Sequence, residues 1–300
     1  MRELTYIKSA VRRRLDEFGG AVKVSPPSLS RNKQLIFLCG ANSAPGTPSP
    51  RREALKKYIQ GISGDYSVIY AESVFNELIK VGHLKNALDL EHEISDIADK
   101  IIIVLESESA FCELGAFAHQ ALRKKLIVIN DSQFREGQSF INTGPLAAMA
   151  EVKSPTLWYP MSNIRSKVDG IGAVFFELKE ALSVKPRKST LKTDFSELNT
   201  DKSSLYFIHD LVLFAGAISY KELVQILVTL FGDKRYDLLH RLLGILRAAG
   251  LITNYMVEKN RIYRTVGRTP FLSYASDTNA LMSTFRSTLI KSYPERFSLG

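Results

Sequence analysis

The stretch KIIIVLESESAFCELGAFAHQALRKKLIVIND (100–131) decides the fold. It opens on KIIIVLES (100–107), a continuous apolar run of the kind buried on both faces of a sheet. SAFCELGAFAHQALRKK (109–125) reads as a helix, and LIVIND (126–131) is another buried strand. Toward the N-terminus, QLIFLCG (34–40) is a short apolar strand ending in glycine, and SVIYA (67–71) is a further strand. Between them, ANSAPGTPSP (41–50) is a loop and RREALKKYIQGI (51–62) a helix, with Ser49 as its N-cap and Pro50 at its start. Residues 72–80, 86–98 and 168–183 read as helices. Apolar strands alternating with helices predict an α/β fold, a doubly wound parallel sheet of the flavodoxin-like kind. Ligands bind such sheets at the carboxyl ends of the strands, so the loops 40–50, 106–113 and 131–145 are expected to meet around a site.

The flanks read differently. Residues 2–18 have Leu4, Ile7, Val11 and Leu15 at helical spacing, and Pro26 and Pro27 end the pattern. Residues 1–30 are therefore an N-terminal helical segment, of which 1–22 are expected to help assemble oligomers, and 31–183 form the α/β domain. Residues 184–202 are polar, lack periodicity and read as a linker. From 203 onward come three helices, SLYFIHDLVLFAG, ISYKELVQILVTLFG and KRYDLLHRLLGILRAAG, with Gly216, Gly232 and Gly250 where helices should stop. LITNYMVEKNRIYRTV (251–266) then gives two strand-like runs. Three helices followed by a β-hairpin is the order of a winged helix-turn-helix domain (203–300).

Composition narrows the class. The 300 residues are 45% hydrophobic and 24% charged, as in an ordinary globular protein. No apolar run reaches the ~18 residues a membrane span needs, and the basic, amphipathic N-terminus is no signal peptide, so a cytoplasmic location is expected. Two cysteines and five scattered histidines suggest neither a disulfide scaffold nor a metal site. The net charge of +9 is uneven: residues 234–268 hold eight Lys/Arg against two acids. Lys234, Arg235, Arg241 and Arg247 on the third helix and Lys259, Arg261 and Arg264 on the hairpin are candidate contacts for a polyanion or protein partner; a solvated basic surface explains the charge equally well.

In FCELGAF (111–117), Glu113 is expected within about the first turn of a helix, where the macrodipole favours its charged form. Apolar neighbours partly strip it of water, and Gly115 leaves room for another group. A carboxylate so held can attack an anomeric carbon. By position alone, a glutamate that merely satisfies the dipole fits better. Glu91, in DLEHEI, and Asn142, in SFINTGP, are expected at the same edge and could grip sugar hydroxyls. Asp99 reads as a cap or surface charge. CGAN (39–42) is neither GxGxxG nor a P-loop, which disfavours a Rossmann redox enzyme or a triphosphatase. Arg51 and Arg52 could hold a phosphate but read more simply as surface residues. Cys112 reads as a packing residue.

At these residues the chain resembles the nucleoside 2-deoxyribosyltransferase superfamily, from about 34 to 150. The resemblance rests on IFLCGA, KIIIVLES, FCELGAF and SFINTGP. It implies that Glu113 is a nucleophile forming a covalent sugar–enzyme intermediate. It also implies that Glu91 grips the sugar and helps handle the proton, and that Asn142 contacts the sugar or the nucleophile. Cys39, Gly40, Ala41, Glu106 and Gly115 are the candidate substrate-contacting residues. The family's further Asp, before the ELG segment, has no counterpart here; Glu106 and Glu108 stand nearby. IYAES, DLEHEI, ESESAFCELGAFA and RKKLIVINDSQF, together with the C-terminal unit, narrow the match. The chain looks like the effector proteins of bacterial retrons. That resemblance implies a toxin of phage defence that hydrolyses NAD⁺ as substrate, with no cofactor. Its implied partners are a reverse transcriptase and its RNA-linked single-stranded DNA. A deoxyribosyltransferase or N-glycosidase of salvage metabolism, and a non-enzymatic DNA-binding regulator with a ligand-sensing α/β domain, are the competing expectations.

Overall fold

The computed structural model describes residues 9–29, 33–79, 86–162, 169–183 and 194–297. They form two compact units. Residues 33–79, 86–162 and 169–183 make one, and 9–29 joins 194–297 in the other. In chain order, α1 (Ser9–Val24) and β1 (Ser28–Leu29) precede the first of these units.

The α/β unit begins with β2 (Gln34–Cys39), a small hairpin of β3 (Asn42–Ala44) and β4 (Thr47–Pro48), and α2 (Pro50–Ile62). β5 (Tyr66–Ile69), α3 (Ala71–Ile79), α4 (Ala87–Ile97), β6 (Lys100–Val104) and α5 (Glu108–Phe117) follow. Then come β7 (Leu126–Asp131), α6 (Ala147–Glu151), β8 (Thr156–Tyr159) and α7 (Phe175–Ser183). Five strands lie parallel in the order β5-β2-β6-β7-β8. The order reverses direction between β2 and β6, the point at which doubly wound sheets open a ligand crevice. Every residue of β2, β6 and β7 is buried, because both faces are covered and no polar alternation is needed. On one face Ile36, Leu38, Ile102, Val104 and Ile127 pack with Leu55 and Ile59 of α2 and Leu178 and Leu182 of α7. On the other, the ring of Phe37 meets that of Phe117 on α5 edge-on, 6.0 Å between centroids.

Three features depart from the sequence reading. β8 adds a fifth strand, TLWY, that the pattern did not reveal. The loop after β2 folds into the β3–β4 hairpin. The helix expected to run to 125 stops at Phe117; the guanidinium of Arg123 donates to the Ala118 carbonyl (3.2 Å), satisfying a helix-end acceptor, and a 3-10 turn over Arg123–Lys125 leads into β7. Asp99 staples strand to strand: its carboxylate accepts from the Leu35 amide (2.8 Å), and its own amide donates to the Leu35 carbonyl.

The second unit contains α8 (Lys202–Ala215), β9 (Ile218–Ser219), α9 (Tyr220–Phe231) and α10 (Leu238–Ala248). β10 (Ile252–Val257), β11 (Asn260–Thr265), β12 (Leu272–Ser273) and α11 (Thr278–Ser292) complete it. β10, β11 and β9 form an antiparallel sheet in that order, and β12 pairs with β1. Of the expected linker, 184–193 lie outside the described residues. In 194–201, Phe195 is buried against Phe207 and Asp201 caps α8.

α1 belongs to this unit. Val11, Leu15, Phe18 and Val22 are buried, and Phe18 packs on Phe207 and Phe214 of α8 and on Tyr274. Val11 and Leu15 of the N-terminal apolar stripe are thus buried within this unit; Leu4 and Ile7 lie outside the described residues. Beside it, Asp210 is fully buried, yet its oxygens accept from the Phe271 and Leu272 amides (both 2.9 Å) and the Tyr274 hydroxyl (3.0 Å). A buried carboxylate is tolerated where its lone pairs are filled in this way.

Candidate active site

A cleft of about 230 Å³ opens at the switch point, beyond the ends of β2 and β6. Gly40 and Asn42 come from the loop after β2, Glu72 and Phe75 from α3, Glu91 from α4, and Ser109 and Glu113 from α5. Three glutamates therefore face one hollow, with Arg52 as the arginine among its lining residues.

Glu113 sits in the second turn of α5, whose N-cap is Ser107 and whose first turn carries Glu108. The dipole fades within the first turn, so it does not hold Glu113 charged as the sequence suggested. The balance runs the other way. Burial, with Glu91 and Glu72 nearby and despite Arg52, pushes the carboxyl up to about 8. Glu113 Oε2 is buried with no hydrogen-bond partner. Burial and Glu72 also raise Glu91 above the usual carboxylate range. Cys39 lines the cleft, its thiol raised well above the ordinary value by burial and then by Glu113. The charged forms of Glu113, Glu91 and Cys39 are thus disfavoured here.

The two arginines at the start of α2 are not surface residues; each is 2% exposed. Ser49 caps the helix, accepting from the Arg52 amide, and the chain turns both guanidinium groups inward. Arg52 grips Glu72 through both oxygens (2.8 and 3.1 Å). It also donates to the carbonyls of Leu38 (2.9 Å) and Ala41 (3.2 Å) and to Asn42 Oδ1 (2.9 Å). One side chain thereby fixes the loop after β2 and orients Glu72. Gly40 is required there: its φ is +149°, and a Cβ would lie 3.0 Å from both Arg52 Cδ and Glu106 Oε1. Arg51 pairs with Glu106 (2.9 Å) and Asp169 (2.6 Å), so neither arginine is left to hold a phosphate.

Glu106 is buried beneath the loop, accepting from the Ala41 amide (3.1 Å), Ser49 Oγ (2.6 Å) and Arg51 (2.9 Å), and it does not line the cleft. Ala41 is also buried outside the lining, and nothing lies within 4 Å of where a Cβ on Gly115 would stand. Asn142 starts a π-helical turn and is likewise absent from the lining. Its amide donates to the carbonyls of Phe134 (2.7 Å) and Gly137 (2.6 Å). Glu91 and Glu113 are brought together; Asn142 is not brought to them. Neither Glu72 nor the buried role of Arg52 is legible in the sequence. The signal available was an arginine at a helix start with a glutamate opening the next helix, a pairing that only the tertiary fold reveals. Cys112 is exposed, and among the described residues no group of His, Cys, Asp or Glu side chains is arranged to hold a metal ion.

In the second unit, α10 begins at Leu238, so Lys234 and Arg235 stand exposed in the segment before it instead of on it. Arg241 and Arg247 are half-buried on a helix that buries Leu239, Leu242, Leu243, Ile245 and Leu246. Lys259 is exposed at the β10–β11 turn. Arg264 is exposed and Arg261 half-buried on β11.

A parallel α/β domain with a carboxylate-walled cleft at its switch point, joined to a helical unit with a β-hairpin, defines a class of two-unit proteins. The chain belongs to the STM3845 retron effector protein family, whose model matches residues 48–254. It is 37% identical over 280 residues to the candidate ribosyltransferase/DNA-binding protein of retron Ec73 of Escherichia coli, covering 88% of this chain and 87% of that one. It is 35% identical over 132 residues to the corresponding protein of retron Ec86 of the same organism, covering 44% and 42%. Among the described residues no helix is long and apolar enough to cross a membrane.

Proposed function

We propose that this retron effector is a toxin that cleaves the N-glycosidic bond of NAD⁺. The observation that carries the reading is the convergence of Glu72, Glu91 and Glu113 on one cleft whose arginine is already engaged by Glu72. Such a cleft favours a cationic guest. A pyridinium N-glycoside brings a positive charge beside the carboxylates and draws Glu113 into its ionised form. Glu113 then attacks C1′. The C1′–N bond breaks with its electron pair passing to the ring nitrogen, and nicotinamide leaves as a neutral base that needs no proton. Water next attacks C1′ while Glu91 accepts its proton. The ester bond to Glu113 breaks, freeing a ribosyl product and restoring the carboxylate. The ribosyltransferase element in the relatives' names supports glycosyl transfer as the chemistry.

The second unit is read as a winged helix that receives the reverse transcriptase and its RNA-linked single-stranded DNA. Of the seven candidate contacts, Lys234, Arg235, Lys259 and Arg264 are exposed. The DNA-binding element in the relatives' names supports this assignment.

The test is the NAD⁺ level in cells on brief induction of the full chain beside Glu113→Gln. Depletion with growth arrest in the first and neither in the second is expected. Unchanged NAD⁺ with the unsubstituted chain, in cells that nevertheless arrest, sinks the reading.

A further inference from the structure

A second cleft of about 310 Å³ opens on the α/β unit, flanking the start of α5. Its polar lining includes Arg51 and Glu106, which pair with each other. Phe111 of α5 and Phe134, just after β7, line it together with Leu105 and Met161. Both rings are open to solvent, Phe134 at 54% and Phe111 at 37%. Two exposed aromatic faces beside apolar side chains form a place for a flat ring to stack.

This cleft neighbours the first. Ser107, Glu108 and Phe111 line the second, while Ser109 and Glu113 line the first, so only the opening turns of α5 separate them. A helix with its side chains is about 10–12 Å across. A ligand with two ring systems joined by a flexible anionic bridge can therefore reach both. The bridge would cross the N-terminus of α5, where the helix dipole favours negative charge.

The wall carrying Phe134 is held in place. Asn142 donates to the carbonyls of Phe134 and Gly137, and Asp131 accepts from both the backbone and the side chain of Gln133. Asn142 does this from a π-helical turn, Asn142–Leu146, a local geometry that recurs at functional sites.

Resting on the cleavage reading above, we infer that the second cleft binds the aromatic base at the far end of a dinucleotide whose ribosyl-pyridinium end lies in the first. Asn142 is a positioning residue acting through the Phe134 loop. Binding at the remote base supplies energy that orients the reacting end.

The experiment titrates full-length Glu113→Gln with NAD⁺, nicotinamide mononucleotide and adenosine 5′-monophosphate, alone and combined with Phe134→Ala or Asn142→Ala. Phe134→Ala is expected to weaken NAD⁺ and adenosine monophosphate about ten-fold and to leave the nicotinamide mononucleotide affinity unchanged. Asn142→Ala should show the same selective loss. Equal losses for all three ligands, or no loss for the two that carry adenine, overturn the inference. Because binding is read without turnover, the two readings fail separately. Adenosine monophosphate held through Phe134 by a protein that cleaves nothing keeps the subsite and removes the cleavage. Cleavage through Glu113 with adenine affinity indifferent to Phe134 does the reverse.

Discussion

Glu106 and Glu113 carry the same functional group into opposite circumstances. Glu106 has its oxygens filled by an amide, a hydroxyl and a guanidinium. Glu113 keeps a buried oxygen with no partner, and burial pushes its carboxyl up to about 8. That value fixes a pH dependence. In the proposed cleavage the attacking form is the carboxylate, so activity of the free protein is expected to be lost as pH falls through about 8. kcat/KM for NAD⁺ hydrolysis should drop about ten-fold per unit below that point, while kcat, measured with the cation bound, should hold to lower pH. A profile already flat at pH 6 would show that Glu113 is not the group titrating. Glu113, Glu91 and the Ser49 cap were legible as residues because strand and helix signals placed them at the sheet's carboxyl edge. Arg52 and Glu72 were not. A charged residue at a helix start reads as solvated unless its partner, far along the chain, is known to face it.

Short elements were the hard ones to read. β6 and β7 announce themselves through unbroken apolar runs, whereas β8 has four residues between Pro155 and Pro160 and only alternate burial. α5 was read too long because Ala118 and Ala121 extend a helical pattern, and nothing local shows that Arg123 will turn back onto the helix end. The three helices and hairpin of the second unit were legible from glycine stops and period changes. β9, two residues long, was not. At this scale Asp210 makes a sharp prediction. It anchors the 271–274 segment to α8, and Asp210→Ala would leave two buried amides and a hydroxyl without their acceptor. The expected loss is about 3–5 kcal/mol in urea denaturation, and a change below about 1 kcal/mol would contradict the anchoring role.

At the scale of the molecule, α1 lies far in sequence from the unit it completes. Phe18→Ala should therefore destabilise α8 by about 3–5 kcal/mol, seen as faster hydrogen exchange of the amides around Phe207 and Phe214. Exchange unchanged there would mean the helix is only loosely docked. This membership was hidden because apolar spacing shows that a helix has a face to bury and not which later segment will cover it. α1 also packs against α11, so during synthesis it must wait for a helix about 250 residues later, roughly 10–50 s at ordinary elongation rates. The α/β unit emerges wholly within that interval and can fold while α1 is still uncovered. A ribosome halted before Thr278 would release a polypeptide with its whole cleft formed and its second unit unfinished.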